Sequence, residues 1–249
     1  MNPYRRTFYS RQADWHGYLG AHDIATRHQA RARYFSWYTQ GWLPSSPDAS
    51  ILDIACGAGQ FLYFLHSRGF TNCTGIDVDE VQIRYAQELG LCCACADAGS
   101  FLATNANKYE VISLFDILEH FTREELFELL EAVVGHLTPT GSIILSVPNA
   151  ESPAGLATCF ADITHELGFT RTSLSQMLLC HGLELTDVRD PWPAPVSPLR
   201  AFHRKVAILA RRLSAIRYLL LGLPSPRYWS PVIYGCAHRN VASIHHEGR

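Results

Sequence analysis

Apolar and polar positions along this chain repeat with two different periods. Short apolar runs read as strands at 50–55, 72–77, 91–95, 109–114 and 141–147. Between them, apolar residues recur at three- and four-residue steps over 59–69, 79–90, 98–106 and 123–137, which read as helices. Asp79-x-x-Gln82 and Thr122-x-x-Glu125 have the form of capping boxes at two helix starts. Strands alternating with helices predict a parallel sheet covered on both faces.

The flanks differ from this core. His22 to Trp42 is aromatic-rich with helical spacing, and Pro44-Ser-Ser-Pro47 ends it; this predicts a helical cap over a site. After Val147 the alternation breaks, and Pro148 to Gly168 is irregular. Ser173-x-x-Gln176 then predicts the cap of a short helix ending near His181-Gly182, and Leu183 to Arg189 alternates like a strand. The proline-rich run 191–198 excludes a regular element. Arg200 to Leu221 reads as a basic helix and Pro231 to His238 as a last strand. The expected division is a cap at 1–47, a core at 48–190, a basic arm at 191–230, and a core-completing strand and tail at 231–249.

With 249 residues, 47% of them hydrophobic, the chain can bury one α/β domain with additions. Charge is distributed unevenly. Residues 1–190 carry 12 Lys/Arg against 22 Asp/Glu, whereas 191–246 carries eight Arg/Lys and no acid. A basic arm on an acidic body points to an anionic surface or substrate for the arm, or to contact with the body itself. The N-terminus lacks the apolar segment of a signal peptide, and no run approaches the roughly 20 residues of a membrane span. The eight cysteines read as buried, reduced thiols, with no metal site expected. The expected location is therefore cytoplasmic.

The chemistry is concentrated in Ile51-Leu-Asp-Ile-Ala-Cys-Gly-Ala-Gly-Gln60, where an apolar strand ends in an acid and two glycines follow. Cys73-Thr-Gly-Ile-Asp77 is a second strand ending in an acid, 18 residues after Gly59. An α/β sheet holds a nucleoside at such strand ends. Leu62 stands where a dinucleotide fingerprint needs its third glycine, and the Lys-Ser/Thr pair of a phosphate loop is absent.

Asp53-x-x-x-Gly57-x-Gly59 followed by Gly75-x-Asp77 resembles the class I S-adenosylmethionine (SAM)-dependent methyltransferases, with their Rossmann-like, seven-stranded, mostly parallel sheet. The resemblance implies SAM as cofactor, with Gly57 and Gly59 bordering its methionine part and Asp53 beneath its amino group. Asp77 would accept from both ribose hydroxyls and Asp97 from the adenine amino group, while Val78 packs on the ring. Cys56, Ala98 and Phe115 would line the same site.

Phe115-Asp-Ile-Leu-Glu-His120 resembles a segment of many such enzymes, quinone O-methyltransferases among them. On that resemblance Asp116, Glu119 and His120 would orient SAM, serve a base or, as in some relatives, hold a divalent cation; site lining rather than a metal is the expectation here. Pro148-Asn-Ala-Glu-Ser-Pro153, Asp162-Ile-Thr-His-Glu166 and Phe169-Thr170 resemble a branch often found with bacterial surface-glycan biosynthesis. On that likeness Asn149, Glu151, Asp162 and Glu166 would meet the substrate.

Methyl transfer to a hydroxyl needs a proton acceptor, and a neutral histidine suits that task near pH 7. His165 is the first candidate and His120 the second. The expected reaction is O-methylation of a sugar hydroxyl in a surface polysaccharide or its precursor. The alternatives are a quinone-like or secondary-metabolite acceptor, and a SAM-binding subunit without turnover. An aromatic-lined pocket would favour the quinone-like type, and a broad polar groove the glycan. The helix at 200–221 suits an anionic bilayer, a fold-completing place on the sheet, or the cover of a dimer partner. No nucleic-acid recognition motif is present.

Overall fold

A computed structural model describes residues 3–240. The remainder of the expected C-terminal tail, 241–249, lies outside the described residues. The N-terminal segment forms α1 (Pro3–Tyr9), α2 (Gln12–His16) and α3 (Ala21–Tyr38). The core alternates as β1 (Ile51–Ile54), α4 (Gln60–Ser67), β2 (Cys73–Asp77), α5 (Glu80–Glu88), β3 (Cys93–Cys95) and α6 (Ala98–Thr104). It continues through β4 (Tyr109–Phe115), a 3-10 turn at Leu118–His120, α7 (Arg123–Gly135) and β5 (Leu137–Pro148). Then come α8 (Gly155–Cys159), α9 (Arg171–Cys180), β6 (Leu183–Arg189), α10 (Pro198–Leu220) and β7 (Val232–Arg239).

All seven strands join one sheet in the order β3-β2-β1-β4-β5-β7-β6. The first five are parallel, and β7 runs antiparallel between β5 and β6. This is the seven-stranded, Rossmann-like sheet expected from the sequence. Alternate strand residues build its two layers, as the two-residue period of a strand requires. Ile51, Val111, Ile144 and Cys236 pack with Phe35 of α3 and Phe61 and Phe64 of α4. Leu52, Ile112, Leu145 and Ala237 pack on the other face with Leu102, Leu126, Leu130 and Leu178.

Several local expectations change. The Thr122–Glu125 capping box is present. Asp79 caps α5 through its carboxylate, but Gln82 does not answer to the Asp79 amide, because that amide already donates to Asp77 Oδ1 at 2.9 Å. The cap of α9 is Thr170, three residues before the expected Ser173; Ser173 instead takes the N3 position of that capping box. The N-terminal cap contains two helices, α1 and α2, beyond the one read from the sequence. The helix at 198–220 does not complete the fold, since none of its residues is buried.

Chain order reverses between β1, whose helix leads to β2, and its other neighbour β4, and there a crevice opens. Among the described residues, the non-glycine positions with positive φ are Ala55 (61°) and Asp116 (50°). They follow the carboxyl ends of β1 and β4, where backbone strain of this kind bends the chain around a ligand site.

Candidate active site

The carboxyl ends of β1, β2 and β4 open into a cavity of about 1210 Å³, covered by residues of α1, α2 and α3. β1 runs fully buried to its end, then turns at Gly57, whose φ is 53°. The Gly57 amide donates to Asp77 Oδ2 at 2.8 Å, which ties the first loop to the end of β2. A side chain at Gly57 would bring its Cβ within 3.0 Å of Gln82 Oε1, so glycine keeps this wall open. Gly59 has a different task. It does not line the cavity; with φ at 80° it lets α4 pack closely, and a Cβ there would meet Leu91 Cδ1 at 2.4 Å.

Asp53 is buried, and its carboxylate accepts from Ser113 Oγ at 2.6 Å. Burial pushes its pKa up to about 7, and the nearby Asp77 charge adds to this. Burial also raises Asp77, against the backbone amides that bond it. Such a carboxyl is short of a positive partner. Cys56, Val78, Asp97, Ala98 and Phe115 line the same cavity. Asp97 Oδ1 also caps α6, accepting from the Ser100 amide at 3.2 Å. A cation-deficient acid at β1, an acid at the end of β2 and a side-chain-free turn between them fit an adenosyl group carrying a cationic amino acid.

The other end of the cavity is built from the 3-10 turn and the 162–166 loop. The Glu119 carbonyl accepts from the Glu166 and Leu167 amides at 2.7 and 3.1 Å, which docks the loop on the turn. Thr164 is fully buried, and its hydroxyl donates to Asp162 Oδ1 at 2.7 Å. Having one proton, Thr164 must accept from His120 Nδ1, 2.9 Å away, so the His120 proton sits on Nδ1 and Nε2 carries a lone pair. His165 Nδ1 donates to the Cys159 carbonyl at 2.9 Å, which likewise leaves its Nε2 as the lone-pair nitrogen.

The two imidazoles meet edge to face, with ring centroids 4.7 Å apart. Burial holds His120 down to about 4. Glu119 is almost fully buried, its Oε2 has no hydrogen-bond partner, and burial next to Asp116 raises its pKa well above the usual range. Ligand atoms of Glu119, His120 and His165 lie within 4.8 Å of one another, a set of acceptors able to hold a proton or a cation. Asp116, grouped with Glu119 and His120 in the sequence reading, is outside this set and accepts from Ser146 Oγ at 2.7 Å.

The four expected substrate contacts separate. Asp162 lines the cavity. Asn149 does not: its carboxamide is fully buried, donating to the Tyr228 and Ser230 carbonyls and accepting from the Glu151 amide. Glu151 Oε1 accepts from the Arg171 amide at the start of α9, and Glu151 is also absent from the cavity wall. Glu166 turns outward to Tyr4 and to Arg5 Nη2, at 3.2 Å from the latter. These three hold loops in place, because their polar atoms are already engaged by protein partners.

The helical cap expected over the site is present, but its individual contacts were not foreseen. Arg5 is buried and bridges Glu125, at 2.7 Å, and Glu166. Tyr9 meets the His120 ring at 5.8 Å, and Gln12 accepts from Gln82 at 3.1 Å. Tyr38 of α3 stacks on Tyr234 of β7, with centroids 4.2 Å apart. The only signal for these residues was the aromatic richness of the N-terminus.

A family profile described as "Methyltransferase domain" matches residues 26–188. No curated protein matches the chain. Among solved structures, a SAM-dependent methyltransferase from Archaeoglobus fulgidus superposes with a TM-score of 0.58 at 20% identity, covering 86% of this chain and 93% of that one. The plantazolicin methyltransferase BamL gives 0.53 at 18%, covering 95% and 90%. The mitomycin 7-O-methyltransferase MmcR gives 0.59 at 14%, covering 94% and 60%. The profile match spans the cavity's β1, β2 and β4 walls, and the chain belongs to the methyltransferase domain family, with the class I SAM-dependent methyltransferase fold.

Proposed function

We propose that this SAM-dependent methyltransferase O-methylates a compact hydroxyl acceptor with a flat apolar face, of the quinone-like or secondary-metabolite kind. The observation that carries this is the cavity wall. Tyr34, Phe35, Tyr38, Phe61, Phe115 and Tyr234 line it and pack ring against ring. Rings of this kind sandwich a planar acceptor. SAM, when bound, supplies an electrophilic methyl group on a sulfonium. Asp53, Gly57, Asp77 and Val78 are the residues that would hold it.

The proton is handled at the opposite end. We assign the receipt of the acceptor's hydroxyl proton to His165 Nε2, which lies 4.0 Å from Glu119 Oε1 and is the free ring nitrogen when the imidazole is neutral. His120, held down to about 4, is the weaker base and orients the loop through Thr164. Positioning of acceptor and donor supplies much of the remaining acceleration.

A second reading is a sugar hydroxyl in a bacterial surface polysaccharide or its precursor. The likeness of 148–170 to glycan-associated methyltransferases supports it, and aromatic rings also stack on sugars. This reading places the enzyme in the cytoplasm, at the inner face of the membrane. The test is transfer from labelled SAM to a panel of phenols, hydroquinones, nucleotide sugars and polyprenyl-linked sugars. Turnover confined to the sugars selects the second reading. SAM binding without transfer to any acceptor indicates a non-catalytic subunit.

A further inference from the structure

α10 presents an apolar stripe that the rest of the described residues leave uncovered. Phe202, Val206, Leu209, Leu213, Ile216 and Leu220 follow one another at three- and four-residue steps, and each is between 47% and 81% exposed. The opposite face holds the helix to the body. Arg204 Nη1 donates to the Pro193 carbonyl at 3.0 Å and its guanidinium lies over Trp37. Arg211 pairs with Asp190 at 2.8 Å and also reaches the Trp192 carbonyl. Tyr218 meets Trp229 edge-on. Arg204 and Arg211 each stand two positions after a stripe residue, about 200° around the helix, so the stripe faces away from the body.

The flanks of the stripe are cationic. Lys205 and Arg212 immediately precede Val206 and Leu213, and Arg217 follows Ile216. The helix has no acidic residue. An apolar stripe bordered by lysine and arginine matches a helix lying in the plane of a bilayer, with its cations at the headgroups. A second copy is the poorer occupant: stripe-to-stripe pairing would set these cations against their own kind with no acid to compensate. No helix among the described residues is long and apolar enough to cross a membrane.

We infer that α10 is a bilayer-docking helix, which inserts the face from Phe202 to Leu220 into an anionic membrane surface and seats Lys205, Arg212 and Arg217 among phosphate headgroups. The helix also adjoins the cavity wall: Arg200 stacks over Tyr34, which lines the cavity. Docking thus sets the cavity beside the lipid surface, within reach of membrane-borne acceptors.

The test is flotation of the full chain with phosphatidylglycerol-containing and with pure phosphatidylcholine vesicles. The protein is expected to float with the anionic vesicles at low salt and to be released as salt rises. Lys205→Gln and Arg212→Gln should each lower partitioning about fivefold. The double variant Leu209→Glu, Leu213→Glu should stay at the bottom of the gradient while SAM affinity and unfolding midpoint remain those of the wild type. Failure of the folded wild type to float at low salt overturns the inference. So does a dimer in sedimentation velocity that Leu213→Glu dissociates, without vesicle binding. Neither result bears on transfer to a soluble acceptor, which is read separately.

Discussion

Glu119 Oε1 stands 4.0 Å from Nε2 of His165, joining a turn after β4 to a loop more than forty residues on. The pair exists because the Glu119 carbonyl also anchors the backbone of that loop. One residue thus fixes the loop with its main chain and faces the imidazole with its side chain. His165→Ala is expected to lower kcat by roughly 10²- to 10⁴-fold, the usual worth of a positioned base. SAM affinity should change little. His120→Asn should cost less, because a histidine held near 4 is a poor proton acceptor at neutral pH. Steady-state kinetics of the two variants on an active acceptor decide between the roles.

His120 also carries a pH signature in stability. Its native pKa is lowered from 6.5 to about 4, so the unfolded chain binds its proton first as pH falls. The stabilisation is complete above 6.5 and is lost as pH drops toward 4, by about 3 kcal/mol. Urea denaturation across this window should show the slope, and His120→Asn should flatten it.

Asp53 has the opposite sign. Its native pKa, about 7, lies above the ordinary 3.8, so here the native state holds the proton more tightly. The associated stability is full below 3.8 and is lost as pH rises through 7, by about 4 kcal/mol. Asp53→Asn should remove this loss, giving a ligand-free protein that is more stable at pH 8 than the wild type. The same variant should weaken SAM binding in calorimetry, most of all at high pH, where the wild-type carboxylate is charged.

Gly59→Ala tests packing rather than ligand contact. Its Cβ would meet Leu91 at 2.4 Å and Ala86 at 3.1 Å, and φ is 80°. Overpacking and the left-handed backbone together should cost about 2–3 kcal/mol in chemical denaturation. Because Gly59 does not line the cavity, SAM affinity of the folded fraction should stay close to wild type.

Asn149→Ala should behave as a structural lesion. It leaves the buried Tyr228 and Ser230 carbonyls without their donor, at a cost of about 1–3 kcal/mol per unmade bond. A lowered unfolding midpoint with an unchanged KM for the acceptor would mark Asn149 as a loop pin.

The sheet was legible in the sequence because its signals are local: short apolar runs, strand-end acids and glycines that a turn requires. Asp53, Gly57 and Asp77 followed from those signals, and all three reach the cavity. Asn149, Glu151 and Glu166 lie off the cavity wall, which the sequence could not show, because a polar residue in a motif looks the same whether it faces a ligand or a neighbouring loop. Only the fold shows that Tyr228, Ser230, Arg171, Tyr4 and Arg5 occupy their polar atoms. Arg5 and Tyr9 were invisible for a related reason. Their partners lie more than a hundred residues away, and no periodicity encodes such contacts.

The place where α10 departs from the sheet has a consequence for how this protein can change. The excursion leaves β6 at Arg189 and re-enters at β7, where Arg189 is paired with Tyr234. Its two ends are therefore neighbours on one ladder, and the chain between them closes a loop rather than bridging elements. Loops of this kind can be exchanged for longer or shorter ones at small entropic cost. On the bilayer-docking inference, the address of the enzyme can thus be rewritten through this one graft point while the cavity floor at β1, β2 and β4 stays as it is.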